Sequence, residues 1–343
     1  MAVLKNMVCL ARPMACLVAI LCLMLGGCGI PSFLITPVSG SQELQEEVVQ
    51  PGKGWSPKKI VILEVEGMLI NARQGGFLQA TENDVSRFAQ QLDKAAADGS
   101  VAALILRVNT PGGTVTTSDT MYNMVRKWKQ KTGKPVLAHT QEVAASGGYY
   151  VCCAADKIVA HPTSLIGSIG VIFQTFDFSG TMGMIGMRAT SIKSGPLKDM
   201  GSPLKPLEAK EQKVLQAMID EFFERFVSVV RKNRNLSEQP VPIVDYKKLE
   251  YDGIFSGRVF SGETAVRLGL ADQTGSLEET IELARAMTRQ PGAAAVLYKR
   301  PYGYSGSIYA SQPTPPPQPS VIQLKLPESR AFLPTGFYYL WEP

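Results

Sequence analysis

This sequence predicts an α/β domain, and three observations carry the prediction. Lys59-Ile60-Val61-Ile62-Leu63-Glu64-Val65 and Val101-Ala102-Ala103-Leu104-Ile105-Leu106-Arg107-Val108 are strand-length apolar runs. Asn83 to Ala97 places Val85, Phe88, Leu92 and Ala95 at helical spacing. A strand, a glycine-bearing turn and a helix then recur. Val108 leads into Gly112-Gly113, and His139 leads into Gly147-Gly148. Strands that alternate with helices build an α/β domain. Equivalent turns at the ends of adjacent strands bring the two glycine pairs together on one edge of a sheet.

The elements follow in order. Residues 1–28 read as a targeting segment: Lys5 and Arg12 precede an unbroken apolar run, Met14 to Leu25. That run suits a signal h-region and is short for a membrane-spanning helix. It ends in Leu25-Gly26-Gly27-Cys28, which resembles the lipobox of bacterial lipoproteins, with Cys28 as the lipidated residue. Residues 29–57 read as a tether, rich in Pro, Ser, Gln and Glu. A globular domain is expected over 58–293. It begins with the strand at Lys59 and the helix from Asn83. The apolar second strand, a turn at Asn109–Gly113 and a helix over Thr117–Thr132 follow. Then come a strand over Pro135–His139 and a helix after Ser146. Met187 to Lys193 has strand character, and Ser194 to Asp199 reads as a turn. Glu208 to Lys232 is a long helix with an apolar stripe of Leu215, Met218, Phe222, Phe226 and Val229, which is core or subunit interface. Residues 294–343 read as a proline-rich linker and tail. Five prolines fall within 311–320, and the apolar end runs from Ala331 to Trp341. Such an end does not stay solvated, so it docks on its own domain or on a neighbour.

Bulk properties exclude several classes. The 343 residues are 45% apolar and 19% charged, as a globular chain with a sizeable core requires. The net charge of +5 falls further without Lys5 and Arg12, and no basic cluster exists, so nucleic acid is not a partner. Four of the six cysteines lie in the leader. Cys152 and Cys153 are adjacent, sit in an apolar run and read as buried small hydrophobes. The reading calls for no metal and no other cofactor.

Ala144-Ala145-Ser146-Gly147-Gly148-Tyr149-Tyr150 is the most informative stretch. A serine between small residues, at the start of a helix, presents its hydroxyl to a cleft. The glycines admit a substrate backbone, and the next N–H faces a developing oxyanion. A serine hydroxyl needs a general base. His139 and His161 are the two histidines, and neither has a carboxylate close in sequence to orient it. Lysine is the other choice, because burial in an apolar site favours its neutral amine. Lys193 and Lys198 both qualify by position.

A resemblance narrows the choice. Ala144 to Tyr150, continuing through Ala154-Ala155-Asp156-Lys157-Ile158 to Gly167-Ser168-Ile169-Gly170-Val171, resembles the signature of the bacterial signal peptide peptidase A family. Three further blocks match: Arg107 to Gly113; Ile192-Lys193-Ser194-Gly195 with Lys198-Asp199 and Ser202-Pro203; and Gly257 to Ala265 with Leu268-Gly269-Leu270-Ala271-Asp272. The resemblance implies a Clp-protease/crotonase-like fold of repeated ββα units and a Ser/Lys serine peptidase. By position, Ser146 matches the nucleophile and Lys198 the base. Ser168 matches the serine that orients the lysine. Gly113 and Gly147 match the backbone donors of the oxyanion hole. The family also implies a homo-oligomeric ring in which neighbouring subunits complete each site. Each block occurs once, so this chain resembles the short members. The lipobox departs from the family's spanning anchor.

The expected function is a membrane-tethered endopeptidase of the cell envelope, outside the cytoplasm, acting on signal peptides or other apolar peptides. Three alternatives stay open at this level: a Ser/His hydrolase using His161, a crotonase-like acyl-CoA enzyme, and a peptide-binding scaffold without turnover. Export argues against the second, because coenzyme A is cytosolic. The apolar tail is chemically like the expected substrate, so a substrate groove is one place for it to dock, and the domain surface is the other.

Overall fold

The computed structural model describes residues 43–55, 57–71, 83–236, 253–300 and 336–341. The leader, Cys28 and the proline-rich stretch lie outside the described residues. The strands are β1 (Gln45–Gln50), β2 (Lys59–Leu69), β3 (Val101–Thr114), β4 (Val136–Ala145), β5 (Lys157–Ala160), β6 (Leu165–Gly167) and β7 (Ile172–Gln174). They continue with β8 (Val259–Ser261), β9 (Gln273–Thr274), β10 (Ala294–Lys299) and β11 (Gly336–Leu340). The helices are α1 (Asp84–Ala97), α2 (Val115–Thr132), α3 (Gly147–Cys152), α4 (Ser179–Met184), α5 (Ala209–Asn233), α6 (Gly262–Arg267) and α7 (Leu277–Thr288).

Local chemistry starts and stops the helices, including α7, which the sequence pattern did not predict. Asn83 caps α1 by accepting from the Ser86 N–H at 3.1 Å. Ser276 and Glu279 form a reciprocal capping box on α7. Gly133 ends α2 in the left-handed conformation, at φ 67°. On α5 the expected stripe turns inward in part. Leu215, Phe226 and Val230 are buried, whereas Met218, Phe222 and Val229 are half-buried.

The central path of the sheet is β1-β10-β2-β3-β4-β5-β9. From β10 to β9 every pairing is parallel. The interior strands are therefore covered on both faces, which explains why Val101–Val108 lacks polar alternation. One core cluster joins Val61, Leu63, Leu104 and Leu106 to α1 and α2. The opposite face packs Ile60, Ile62 and Ile105 against Leu277 and Ile281 of α7. Each such buried side chain contributes about 1.5–3 kcal/mol relative to exposure.

Four expectations change, and one open choice is decided. The tether expected over 29–57 yields part of its length to the sheet, because Gln45–Gln50 pair antiparallel with β10. The domain extends past 293, since Ala294–Lys299 form β10, a fully buried strand between β1 and β2. The turn expected at Asn109–Gly113 is a continuation of β3. The register slips there against both β2 and β4, and such irregularities accommodate Pro111. Met187–Lys193 forms no strand. Its residues are exposed and find no ladder among the described residues, and Ile192 is fully solvent-accessible. Finally, the apolar end docks on its own chain. β11 pairs antiparallel with β3 on one side and with β7 on the other.

Candidate active site

Ser146 occupies the junction between β4 and α3 at φ 52° and ψ −115°. A non-glycine residue there is strained, and such strain persists only where neighbours impose it. The Ser146 N–H donates to the Gly167 carbonyl at 2.7 Å, and its carbonyl accepts from the Tyr150 N–H at 2.9 Å. The residue is 1% exposed. Its Oγ has no hydrogen-bond partner among the described residues. A buried hydroxyl without a partner is costly, and a reactive role is one reason to keep it so.

The two glycine pairs do converge. The ideal Cβ position of Gly147 is 3.2 Å from the Gly113 nitrogen, so the two backbones touch. Gly112 has φ +107°, a conformation that favours glycine. Its own ideal Cβ position lies 2.8 Å from the Gly147 nitrogen. The side chains of Asn109 and Thr110 brace this edge. Asn109 accepts from the Val143 N–H at 3.2 Å, and Thr110 Oγ1 accepts from the Gly112 N–H at 3.0 Å. Sequence reading left both unassigned, although they stand inside the Arg107–Gly113 block.

Ser168 directly follows the residue bonded to Ser146. It is buried, has φ 49°, and its N–H donates to the Arg258 carbonyl at 2.8 Å. The register of β6 on β4, with Gly167 opposite Ala145, places Ser168 beside the nucleophile position.

Lys198 is not brought to them within one chain. It lies in an exposed turn, with its N–H on the Gly195 carbonyl at 3.2 Å, and its amine makes no hydrogen bond or ion pair among the described residues. The neighbouring candidate Lys193 is already paired, at 2.6 Å, with Asp199. That hydrogen bond from Lys193 holds the Asp199 carboxyl below its usual range. The segment around Lys198 exposes Met184, Ile185, Met187 and Ile192.

Neither histidine hydrogen-bonds to Ser146 among the described residues. His161 is exposed, with Nδ1 2.9 Å from Thr163 Oγ1. His139 is buried in β4, with Nδ1 3.1 Å from Thr280 Oγ1. Burial, then the charges of His161 and Arg107, push the His139 imidazole down to about 4, against an opposing effect of Glu278. The unfolded chain binds that proton near pH 6.5, and the folded chain binds it only near 4. This contribution to stability is therefore complete above about pH 6.5 and is lost as pH falls towards 4. It amounts to about 3 kcal/mol. Urea midpoints measured between pH 7 and 4.5 should fall more steeply for the native chain than for His139→Gln.

Cys152 and Cys153 are fully buried, as expected. Burial pushes the Cys153 thiol up to about 12.

Comparison with known proteins decides what kind of enzyme carries this geometry. The model for peptidase family S49 matches residues 128–290. A signal peptide peptidase SppA of Enterococcus faecium is 34% identical over 260 residues, covering 76% of this chain and 72% of that protein. The chain belongs to peptidase family S49. A protease of Methanocaldococcus jannaschii is 35% identical over 60% of this chain and 63% of its own length. Protease 4 of Haemophilus influenzae is 33% identical over 70% of this chain and 36% of its own length. This S49 chain is thus a serine-type peptidase. Its mixed α/β sheet agrees with the Clp-protease-like fold class that the sequence blocks implied. Membership removes the acyl-CoA alternative. Among the described residues, no helix is long and apolar enough to cross a membrane.

Proposed function

We propose that this S49 peptidase is a membrane-tethered endopeptidase that cleaves signal peptides or other apolar peptides through a Ser146/Lys198 dyad. The observation that carries the reading is the Ser146 hydroxyl: buried, unpartnered, held at positive φ and flanked by the Gly113 and Gly147 backbones. Ser146 Oγ attacks the peptide carbonyl while the neutral Lys198 amine takes its proton. The N–H groups of Gly113 and Gly147 receive the negative charge that develops on the carbonyl oxygen. Collapse of the tetrahedral intermediate expels the amine product, which takes the proton back from Lys198. Lys198 then deprotonates the water that hydrolyses the acyl-enzyme. Ser168 orients the lysine by accepting a hydrogen bond from it.

In this reading, Lys198 arrives from a neighbouring copy in a homo-oligomeric ring. Two observations support that origin: its exposure beside an apolar surface run, and the unpartnered Ser146 of the single chain. Excluding water at such a contact favours the neutral amine of a lysine. Cys28 supplies the membrane attachment, as the lipidated residue or as part of an anchor.

A fluorophosphonate probe should label the full-length protein at Ser146, as read by mass spectrometry of the modified peptide. Hydrolysis of a fluorogenic apolar peptide should rise between pH 7 and 10, because a lysine acts as a base only when deprotonated. No labelling together with no cleavage across that range would replace the enzyme with a peptide-binding scaffold.

A further inference from the structure

We propose that the end of the domain opposite Ser146 docks on an anionic lipid surface, with Trp55 entering the interface and basic side chains meeting the phosphate headgroups. The proposal rests on the membrane attachment at Cys28 proposed above, and it adds the orientation in which the domain is held.

Parallel pairing puts the starts of β10, β2, β3, β4 and β5 at one end of the sheet. Gly113 and Ser146 stand at the other, about 40 Å away along β3. The loops leading into these five strands are residues 51–58, 98–100, 133–135, 154–156 and 289–293. They carry Lys53, Lys58, Lys134 and Arg289, and Lys131 lies beside them in the last turn of α2. None of these five cations has a carboxylate partner among the described residues. The loops contain two carboxylates, and each is already held by another lysine: Asp98 by Lys59 at 3.0 Å, and Asp156 by Lys129 at 2.7 Å. The end is therefore left with excess positive charge.

The basic residues form one surface. The Lys53 N–H donates to the Gly292 carbonyl at 2.8 Å, which joins the first loop to the loop of Arg289. Lys58 Nζ donates to the Gly99 carbonyl at 3.1 Å, and Lys134 Nζ to the Asp98 carbonyl at 3.3 Å. Trp55 lies between Lys53 and Lys58 in sequence and is fully exposed. An indole in water, rimmed by unpaired cations, suits the boundary of a bilayer, where tryptophan is favoured and lysine reaches headgroups.

The entry of the chain points to the same occupant. β1 leads directly into the Trp55 loop, and Lys59 bonds Glu46 of β1 and Asp98 together, at 2.8 and 3.0 Å. The chain thus joins the domain close to the basic end. Fourteen residues separate Cys28 from Glu43, a contour of at most about 50 Å. Attachment at Cys28 keeps the patch within reach of the bilayer and makes docking intramolecular. An anionic surface then adds about fivefold for each lysine or arginine brought near it. The docked domain turns its Ser146 edge away from the membrane, so its substrates are peptides that have already left the bilayer.

The test places full-length protein on vesicles with brominated acyl chains, of phosphatidylcholine alone or with an equal part of phosphatidylglycerol. The Trp55 signal is the difference between the native chain and Trp55→Phe. Bromine should quench it on the anionic vesicles, and neutral vesicles or high salt should abolish the quenching. Lys53→Glu/Lys58→Glu/Arg289→Glu should lower the ratio of docked to undocked protein by about 100-fold or more. Its kcat/KM for a soluble peptide should stay native, because the changes lie far from Ser146. Trp55 left unquenched on both kinds of vesicle overturns the proposal. So does quenching that ignores lipid charge, or shielding from acrylamide without quenching by bromine, which marks a protein contact. Flotation at high salt tests the attachment separately. A chain that floats with unquenched Trp55 loses only the docking surface, and one that fails to float loses the Cys28 attachment.

Discussion

Ser146→Ala and Lys198→Ala each lower peptide hydrolysis by about 10⁴-fold or more, the scale set by removing members of a catalytic unit that act together. The two inactive variants differ in a way that a mixture exposes. Within one chain, Ser146 Oγ has no partner among the described residues, and Lys198 is exposed. If a neighbour supplies the lysine, co-assembled variants pair an intact serine with an intact lysine at about a quarter of the sites of a randomly mixed ring. Activity should then return to a corresponding fraction of the native value. A mixture that stays inactive, although each variant assembles, would place both residues in one chain. Lys198→Ala with native activity would remove the lysine from the mechanism altogether.

Gly147→Ala lowers kcat by about 10²–10³-fold, the usual cost of spoiling one oxyanion donor. The reason is steric. A methyl at Gly147 would sit 3.2 Å from the Gly113 nitrogen, in the space the charged oxygen must enter, and against the Ser118 hydroxyl. The Ser118 side chain can turn away, but the backbone of Gly113 cannot. The fold should survive with a loss of about 1–3 kcal/mol for overpacking. Thermal unfolding by circular dichroism separates that loss from the catalytic one. A variant with native kcat would show that the oxyanion is held elsewhere.

Much of the central sheet was legible because its signals are local. The run from Val101 to Val108 is apolar throughout because both faces are covered, and composition records that directly. Asn83 announces a helix because its side chain accepts from an N–H group three residues on. The convergence of Gly113 and Gly147 followed from two strand–glycine–helix repeats placed side by side.

Other parts depended on partners far away in the chain. Gln45–Gln50 has no strong apolar pattern and becomes a strand by pairing with Ala295–Lys299. Met187–Lys193 shows the opposite outcome. It has a strand's composition, but no edge among the described residues accepts it, and its apolar residues are exposed. Pro111 looked like a turn residue, whereas the register slips around it let β3 run on.

By itself, the sequence determined the nucleophile candidate, its glycine neighbours, the α/β class and the apolar character of the C-terminal end. Residue type and short spacing suffice for each of these. Only the tertiary structure decided where that end goes. Strand pairing is a contact between distant segments, and it set Tyr339 opposite Gly113 with its ring between α3 and α5. It also decided that one chain leaves Ser146 and Lys198 apart, because nothing in the spacing of 146 and 198 says which surface the intervening segment covers.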